Sequence, residues 1–271
     1  MKTIEINNIP ILISLRFEES FKNLTKYETL KKARFHIESK NESIIIPRIM
    51  PSITTKFYEI YEYSDIRIQS VHDLVGNIIG YLKYEDSKVT IYGANSFEHE
   101  YMLSQYALVY VLKKEGNAIF MHGSSFKYKN KGIILTAKSG TGKSTHRALW
   151  DKLFDIEIIN DDKNIISLRD DKLYICSSPW SGKHQLDNNI TSTLDAIVIL
   201  YQSSRPEVKK LSLNELLPKL LPSLENLDSE NKKIWHEIFS HILKTPIIYF
   251  GCNMLDESAI ILEKELNKLW D

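Results

Sequence analysis

One stretch restricts the fold of this chain more than any other: "KGIILTAKSGTGKST", residues 131–145. Its apolar run from Gly132 to Leu135 reads as a strand. A glycine-rich loop follows, and from Lys143 the sequence turns to a helical pattern as far as about Phe154. Ala137 to Ser144 fits the phosphate-loop spacing, with Ala137 in place of the first glycine. Gly140 and Gly142 allow the backbone amides to turn inward, and the helix that follows directs its positive end at the same point. Ser139, Gly140, Thr141, Gly142, Lys143, Ser144 and Thr145 are therefore expected to hold a nucleotide's phosphates. In that arrangement Lys143 reaches the outer phosphates and the Ser144 hydroxyl ligates magnesium.

A phosphate cradle of this kind works with a carboxylate nearby. The best candidates end the next apolar strand, "IEIINDD", at Asp161 and Asp162. One helix and one strand separate them from Lys143, so they can lie at the same edge of a sheet, where α/β proteins bind ligands. One carboxylate can hold magnesium and the other can take a proton from an attacking hydroxyl. "FMHGSS" puts His122 on the strand before the loop strand, where it either approaches the site or packs in the core. "PWSGKHQ" carries Lys183 in a loop that either closes over phosphate or is an ordinary turn. His146 and Arg147, early in the loop helix, either touch nucleotide or face solvent. Asp170-Asp171, between "SLR" and "KLYI", reads as a hairpin turn.

Around this motif the chain divides by pattern. Residues 1–94 alternate apolar and polar in short runs such as "KTIEI", "ILISLRF" and "KVTIYG", which predicts a smaller, β-rich, antiparallel module. Residues 95–116 predict a connecting helix, capped by Ser96, closed by Lys113 and Lys114, and packed on the second half. Residues 117–271 interleave strands with helices and predict an α/β phosphate-loop domain.

The charge balance, 35 basic against 35 acidic residues, offers no overall field for nucleic acid or an anionic membrane. No run reaches the roughly 18 apolar residues of a membrane helix, and the start has no cleavage-site pattern, so a cytoplasmic protein is expected. Cys176 and Cys252 lack metal-ligand spacing and read as packed thiols.

Taken in order, "MHGSS", "SGTGKST", "INDD" and "PWSGK" resemble the HPr kinase/phosphorylase and ATP-type phosphoenolpyruvate carboxykinase superfamily. The likeness is to its small stand-alone branch, which includes peptide-modifying kinases of lasso-peptide and other ribosomal-peptide clusters. It runs from Ala118 to Leu200, about a third of the chain. The resemblance implies the fold of that superfamily's nucleotide-binding domain, with ATP and magnesium as cofactors. It implies that Lys143 and Ser144 bind phosphate and magnesium, that Asp161 is the general base, that Asp162 is a metal or positioning carboxylate, and that His122 belongs to the site. Lys183 joins the catalytic set as a second cation. No version of the downstream glycine-rich signature of true HPr kinases is recognisable, so HPr itself is not the expected acceptor.

The expected activity is transfer of the γ-phosphoryl group to a Ser/Thr-type hydroxyl of a peptide, protein or small molecule. ATP, GTP and pyrophosphate all remain open as donors, and a homo-oligomer is compatible with the family. Two other readings stand beside it: a carboxykinase-like enzyme acting on a small acid, and a non-catalytic nucleotide-binding regulator.

Overall fold

The structure is a computed structural model that describes residues 1–115, 117–181, 186–224 and 232–270. The chain forms two compact units, residues 1–116 and 117–271.

The first unit is one eight-stranded sheet under a helix. Its strands are β1 (Lys2–Ile6), β2 (Ile9–Ser14), β3 (Phe35–Lys40), β4 (Ile53–Thr54), β5 (Tyr58–Tyr63), β6 (Ile66–His72), β7 (Ile78–Glu85) and β8 (Lys88–Tyr92), in spatial order β1-β2-β3-β8-β7-β6-β5-β4. The strands alternate as their sequences require, burying Ile4 and Ile6, Ile11 and Ile13, and Val89 and Ile91. The tight turn Glu85-Asp86-Ser87-Lys88 joins β7 and β8 as a hairpin.

The expectation of a purely antiparallel module is corrected at two pairs, because β2–β3 and β3–β8 are parallel. A 3-10 helix (Glu18–Tyr27) lies between β2 and β3, which makes that connection long enough for a parallel return. Period-2 alternation marks the buried face of a strand but carries no information on its neighbour's direction.

Helix α1 (Phe97–Glu115) is capped by Ser96, whose Oγ accepts the His99 N–H at 3.3 Å. It packs on β3, β7, β8 and the 3-10 helix, burying Leu103, Ala107, Leu108 and Val111. The predicted connector is thus a structural element of the first unit.

The second unit is a mixed α/β structure. Its strands are β9 (Ala118–His122), β10 (Ser124–Tyr128), β11 (Lys131–Thr136), β12 (Glu157–Asn160), β13 (Lys163–Arg169), β14 (Lys172–Cys176), β15 (Thr191–Gln202), β16 (Glu207–Lys209) and β17 (Ile247–Cys252). The helices are α2 (Lys143–Leu153), α3 (Leu213–Leu220), α4 (Lys232–Ile242) and α5 (Asp256–Asn267). At the centre β11, β15 and β17 run parallel, with Ile134 opposite Ile197 and Ile199 opposite Tyr249. Antiparallel strands continue the sheet on both sides, β10 and β12 beyond β11 and β16 beyond β17. The first half of β15 instead pairs with β14, which leads on to β13 and β9.

Both faces of the central strands are covered, which accounts for the unbroken apolar run of β11. Ile133, Leu135, Val198 and Phe250 pack with Trp150 of α2 and with Ala259, Leu262 and Leu266 of α5. Ile134, Ile197 and Ile199 pack on the opposite side with Leu220, Ile238 and Ile242 of α3 and α4. Cys176 and Cys252 are free and buried. Among the described residues no helix is long and apolar enough to cross a membrane.

Candidate functional site

"AIFMHGSSFKY" alternates well enough to read as one strand, yet it is two, β9 and β10, broken at Gly123. Its partner is broken at the same level: β10 pairs with β12 and β9 with β13, and Asp161 and Asp162 occupy the gap. The Gly123 N–H donates to the Asp162 carbonyl at 2.9 Å, so the two breaks face each other. Buried amides hold the gap open. Asn164 Nδ2 donates to the carbonyls of Met121 at 3.2 Å and Gly123 at 2.7 Å, and Asn160 Nδ2 donates to the Ser178 carbonyl at 2.7 Å. Asn160 Oδ1 in turn accepts the Asp162 N–H at 2.9 Å. Backbone groups released from the ladder are thereby satisfied by side chains, as a buried interruption requires.

The two carboxylates have different surroundings. Asp161 is buried; its Oδ1 accepts the Ser124 hydroxyl proton and lies 3.7 Å from Arg147 Nε. Asp162 is about a third exposed, and its Oδ1 lies 2.7 Å from His122 Nδ1. The carbonyl of His122 accepts from Thr136 Oγ1 at 2.9 Å, which ties the end of β9 to the end of the loop strand β11.

The loop after β11 has the conformation its glycines allow. Gly140 and Gly142 have φ of +79° and +104°, and a side chain at Gly140 would meet no atom within 4 Å, so this position is glycine for its backbone angle. Gly142 is the N-cap of α2 and its carbonyl accepts the His146 N–H at 2.8 Å. The first amides of α2 therefore point out of the helix toward the loop. Lys143 folds back so that Nζ donates to the Ala137 carbonyl at 3.2 Å, across the base of the loop. Burial lowers the pKa of this ammonium, and the nearby carboxylates of Asp162 and Asp161 oppose that shift. Those influences tie the loop lysine electrostatically to the acidic pair at the neighbouring strand break.

Lys143, Asp161, Asp162 and His122 are thus brought to one edge of the second unit. Ser144 and Thr145 sit in the first turn of α2, and Ser139, Gly140 and Thr141 form the open loop. Lys183 lies outside the described residues. The flanking Trp180 is buried, and Ser181 Oγ donates to Asp187 Oδ1 at 2.6 Å. Asp170 and Asp171 form the β13–β14 turn in left-handed conformation, as the hairpin reading expects.

His146 and Arg147 do not face solvent: their exposures are 1% and 7%. Burial pushes the His146 imidazole down to about 4, so it is neutral near pH 7. The contributions of Ser124, Asn160 and Asn164 were not evident in the sequence, because a polar residue in a strand reads as solvent-facing until its neighbours are known.

The residues present fit a magnesium–nucleotide. Among the described residues no group of three or more His, Cys, Asp or Glu forms a cage for a bare metal ion. Magnesium typically needs less from the protein, one or two carboxylates or hydroxyls with the remaining ligands from phosphate and water. Ser144 and the Asp161–Asp162 pair are groups of that kind and would be the ones to hold it.

No family model matches the chain, and no curated protein matches it. Among solved structures, the HPr(Ser) kinase/phosphatase from Coxiella burnetii is similar over 55% of this chain and 88% of that chain, with 10% sequence identity and a TM-score of 0.35.

Proposed function

We propose that this protein is a cytoplasmic ATP- and magnesium-dependent kinase that transfers the γ-phosphoryl group to a Ser/Thr-type hydroxyl, most naturally on a peptide or protein. The observation that carries the reading is that the helix opening at the phosphate loop packs on the acidic pair at the strand break, with Arg147 Nε 3.7 Å from Asp161 Oδ1. The order of the motifs supports a place in the small stand-alone branch of HPr-kinase-like proteins, with the fold of that superfamily.

In this reaction the acceptor oxygen forms a bond to the γ-phosphorus while the bond from that phosphorus to the bridging oxygen breaks, and ADP leaves. The hydroxyl proton passes to Asp161. Lys143 and the first amides of α2 bind and orient the phosphates and neutralise their charge. Ser144 and Asp162 would hold magnesium, which would supply further charge neutralisation when bound. His122, whose Nδ1 lies 2.7 Å from Asp162 Oδ1, fixes the orientation of that carboxylate.

A second assignment within the same reaction is favoured by exposure. Asp162 and His122 face the open side, whereas Asp161 is enclosed by Ser124 and Arg147. In that version the Asp162–His122 pair meets the hydroxyl and Asp161 supports the metal.

Incubation with labelled ATP and Ser-containing peptides tests the proposal by acceptor-dependent ADP formation. Lys143→Ala should abolish transfer under either assignment. Under the second assignment Asp162→Asn should cost more in turnover than Asp161→Asn, and added magnesium should partly rescue Asp161→Asn alone; the reverse pattern supports the first assignment. Tight ATP binding without turnover on any acceptor would identify a nucleotide-binding regulator instead.

A further inference from the structure

Strand β15 changes neighbours along its length. Thr191, Ser192 and Thr193 pair with β14, whereas the parallel pairing with β17 begins at Ile197. The two neighbours part between those positions, and a cavity of about 650 Å³ opens at the fork. Leu173, Leu194 and Trp270 give it an apolar wall, and Lys131, Lys172 and Lys244 bring three cations to it. The volume falls within the roughly 300–1,000 Å³ of pockets that take a small molecule. The fork is well separated from the phosphate loop. Strand β11 starts at the cavity with Lys131 and ends at the loop with Thr136, so its six residues set the two about 17 Å apart.

The charges around the cavity are not balanced by the protein itself. Asp195 Oδ2 accepts the Gly132 N–H at 2.9 Å and the Thr193 hydroxyl at 2.5 Å, and Oδ1 lies 3.5 Å from Lys131 Nζ. Asp171 Oδ1 lies 2.8 Å from His241 Nε2. Both carboxylates of the cavity are thereby engaged, one by the sheet and Lys131, the other by His241. Lys172 and Lys244 are exposed, and among the described residues neither has a carboxylate at ion-pair distance. Lys244 is only the smallest of the influences on Asp171.

Two ammonium groups without counter-charges beside an apolar wall select an amphipathic anion. Lysines act as compact point charges toward an acidic headgroup, and the wall covers what the headgroup is attached to. We propose that this fork is a second ligand site, for a small organic anion that carries a carboxylate or phosphate headgroup on an apolar body. The headgroup is met by Lys172 and Lys244, and the body lies against Leu173, Leu194 and Trp270. The site stands or falls independently of the phosphoryl-transfer reading.

The test is calorimetric titration of the full chain at low ionic strength with four probes: phenylacetate, phenyl phosphate, inorganic phosphate and benzyl alcohol. Phenylacetate, phenyl phosphate or both should bind at least about tenfold more tightly than inorganic phosphate, which lacks the body, and benzyl alcohol, which lacks the charge. The tighter of the two organic anions names the headgroup. Lys172→Gln combined with Lys244→Gln should remove the advantage, and each single change should remove part of it. Lys143→Ala, at the far end of β11, should leave it intact.

No advantage for either organic anion, or an advantage that survives the double lysine change, would overturn the proposal. An advantage lost in Lys143→Ala and kept in the double lysine variant would place the anion at the phosphate loop and overturn it as well.

Discussion

Arg147 Nε lies 3.7 Å from Asp161 Oδ1, and both side chains are almost wholly enclosed. This pair joins the second turn of the phosphate-loop helix to the carboxylate at the end of β12. The loop and the acidic pair are therefore parts of one packed structure.

Removing Asp161 leaves the buried Arg147 with only the half-exposed Asp151, 3.5 Å from its Nη1. Asp161→Ala should destabilise the protein by about 3 kcal/mol or more, measured by urea denaturation. Asp161→Asn keeps an acceptor for the Ser124 hydroxyl and should cost less. The double change Arg147→Met with Asp161→Leu should recover much of the lost stability without restoring phosphoryl transfer. Recovery of both would show that the pair serves stability alone.

Much of this arrangement was legible in the sequence, and for identifiable reasons. A phosphate loop needs glycine at fixed positions, so Gly140 and Gly142 announce the backbone that the structure shows at positive φ. Three features were not legible. The break at Gly123 was hidden because the residues on both sides continue the strand alternation. The burial of Arg147 was hidden because its counter-charge comes from a different strand. The parallel pairs of the first unit were hidden because strand direction depends on how the connections run.

Trp150 anchors the same helix from its other side. Its ring is fully buried, with centroids 4.9 Å from Phe126, 4.8 Å from Phe154 and 5.3 Å from Tyr128. Trp150→Ala should cost about 3–5 kcal/mol through lost contacts and the cavity left behind. Because α2 carries Lys143 and Ser144 at its start, ATP affinity should fall as well. Trp150→Phe should preserve more of both. Thermal melts with and without ATP would separate the two effects.

In the first unit Glu100 is wholly buried in the first turn of α1, where its carboxylate accepts from the Arg16 N–H at 2.8 Å, the Phe17 N–H at 3.0 Å and Ser20 Oγ at 2.9 Å. Glu100→Ala leaves three donors without their acceptor, of which the Ser20 hydroxyl is buried and the Arg16 and Phe17 N–H groups are part-buried. A buried donor left unsatisfied costs about 1–3 kcal/mol and the two part-buried ones less, so the first unit should lose a substantial share of its stability. Glu100→Gln keeps one acceptor oxygen and should be milder. Hydrogen exchange should show the loss of protection concentrated in residues 1–115. Uniform loss over both units would mean that they unfold together.

His241 couples the end of α4 to the β13–β14 turn in a way that depends on pH. Its Nδ1 faces the Glu237 carbonyl at 2.9 Å and its Nε2 faces Asp171 Oδ1 at 2.8 Å, so both ring nitrogens meet acceptors and the imidazolium is favoured. The Glu237 carbonyl and then Asp171 raise the pKa of His241, while partial burial and Lys244 oppose them. A histidine with a raised folded-state pKa contributes stability that is complete below its unfolded value, about 6.5, and is lost as pH rises through the folded value. Asp171, lowered chiefly by the hydrogen bond to His241, loses its contribution only as the carboxylate protonates in acid. His241→Gln should therefore lower Tm at about pH 5.5 and have little effect at about pH 9. Asp171→Asn should show the same pattern, and the double variant should add nothing further at about pH 5.5. A Tm deficit of His241→Gln that persisted unchanged at about pH 9 would assign the contact to packing and remove the charge from the explanation.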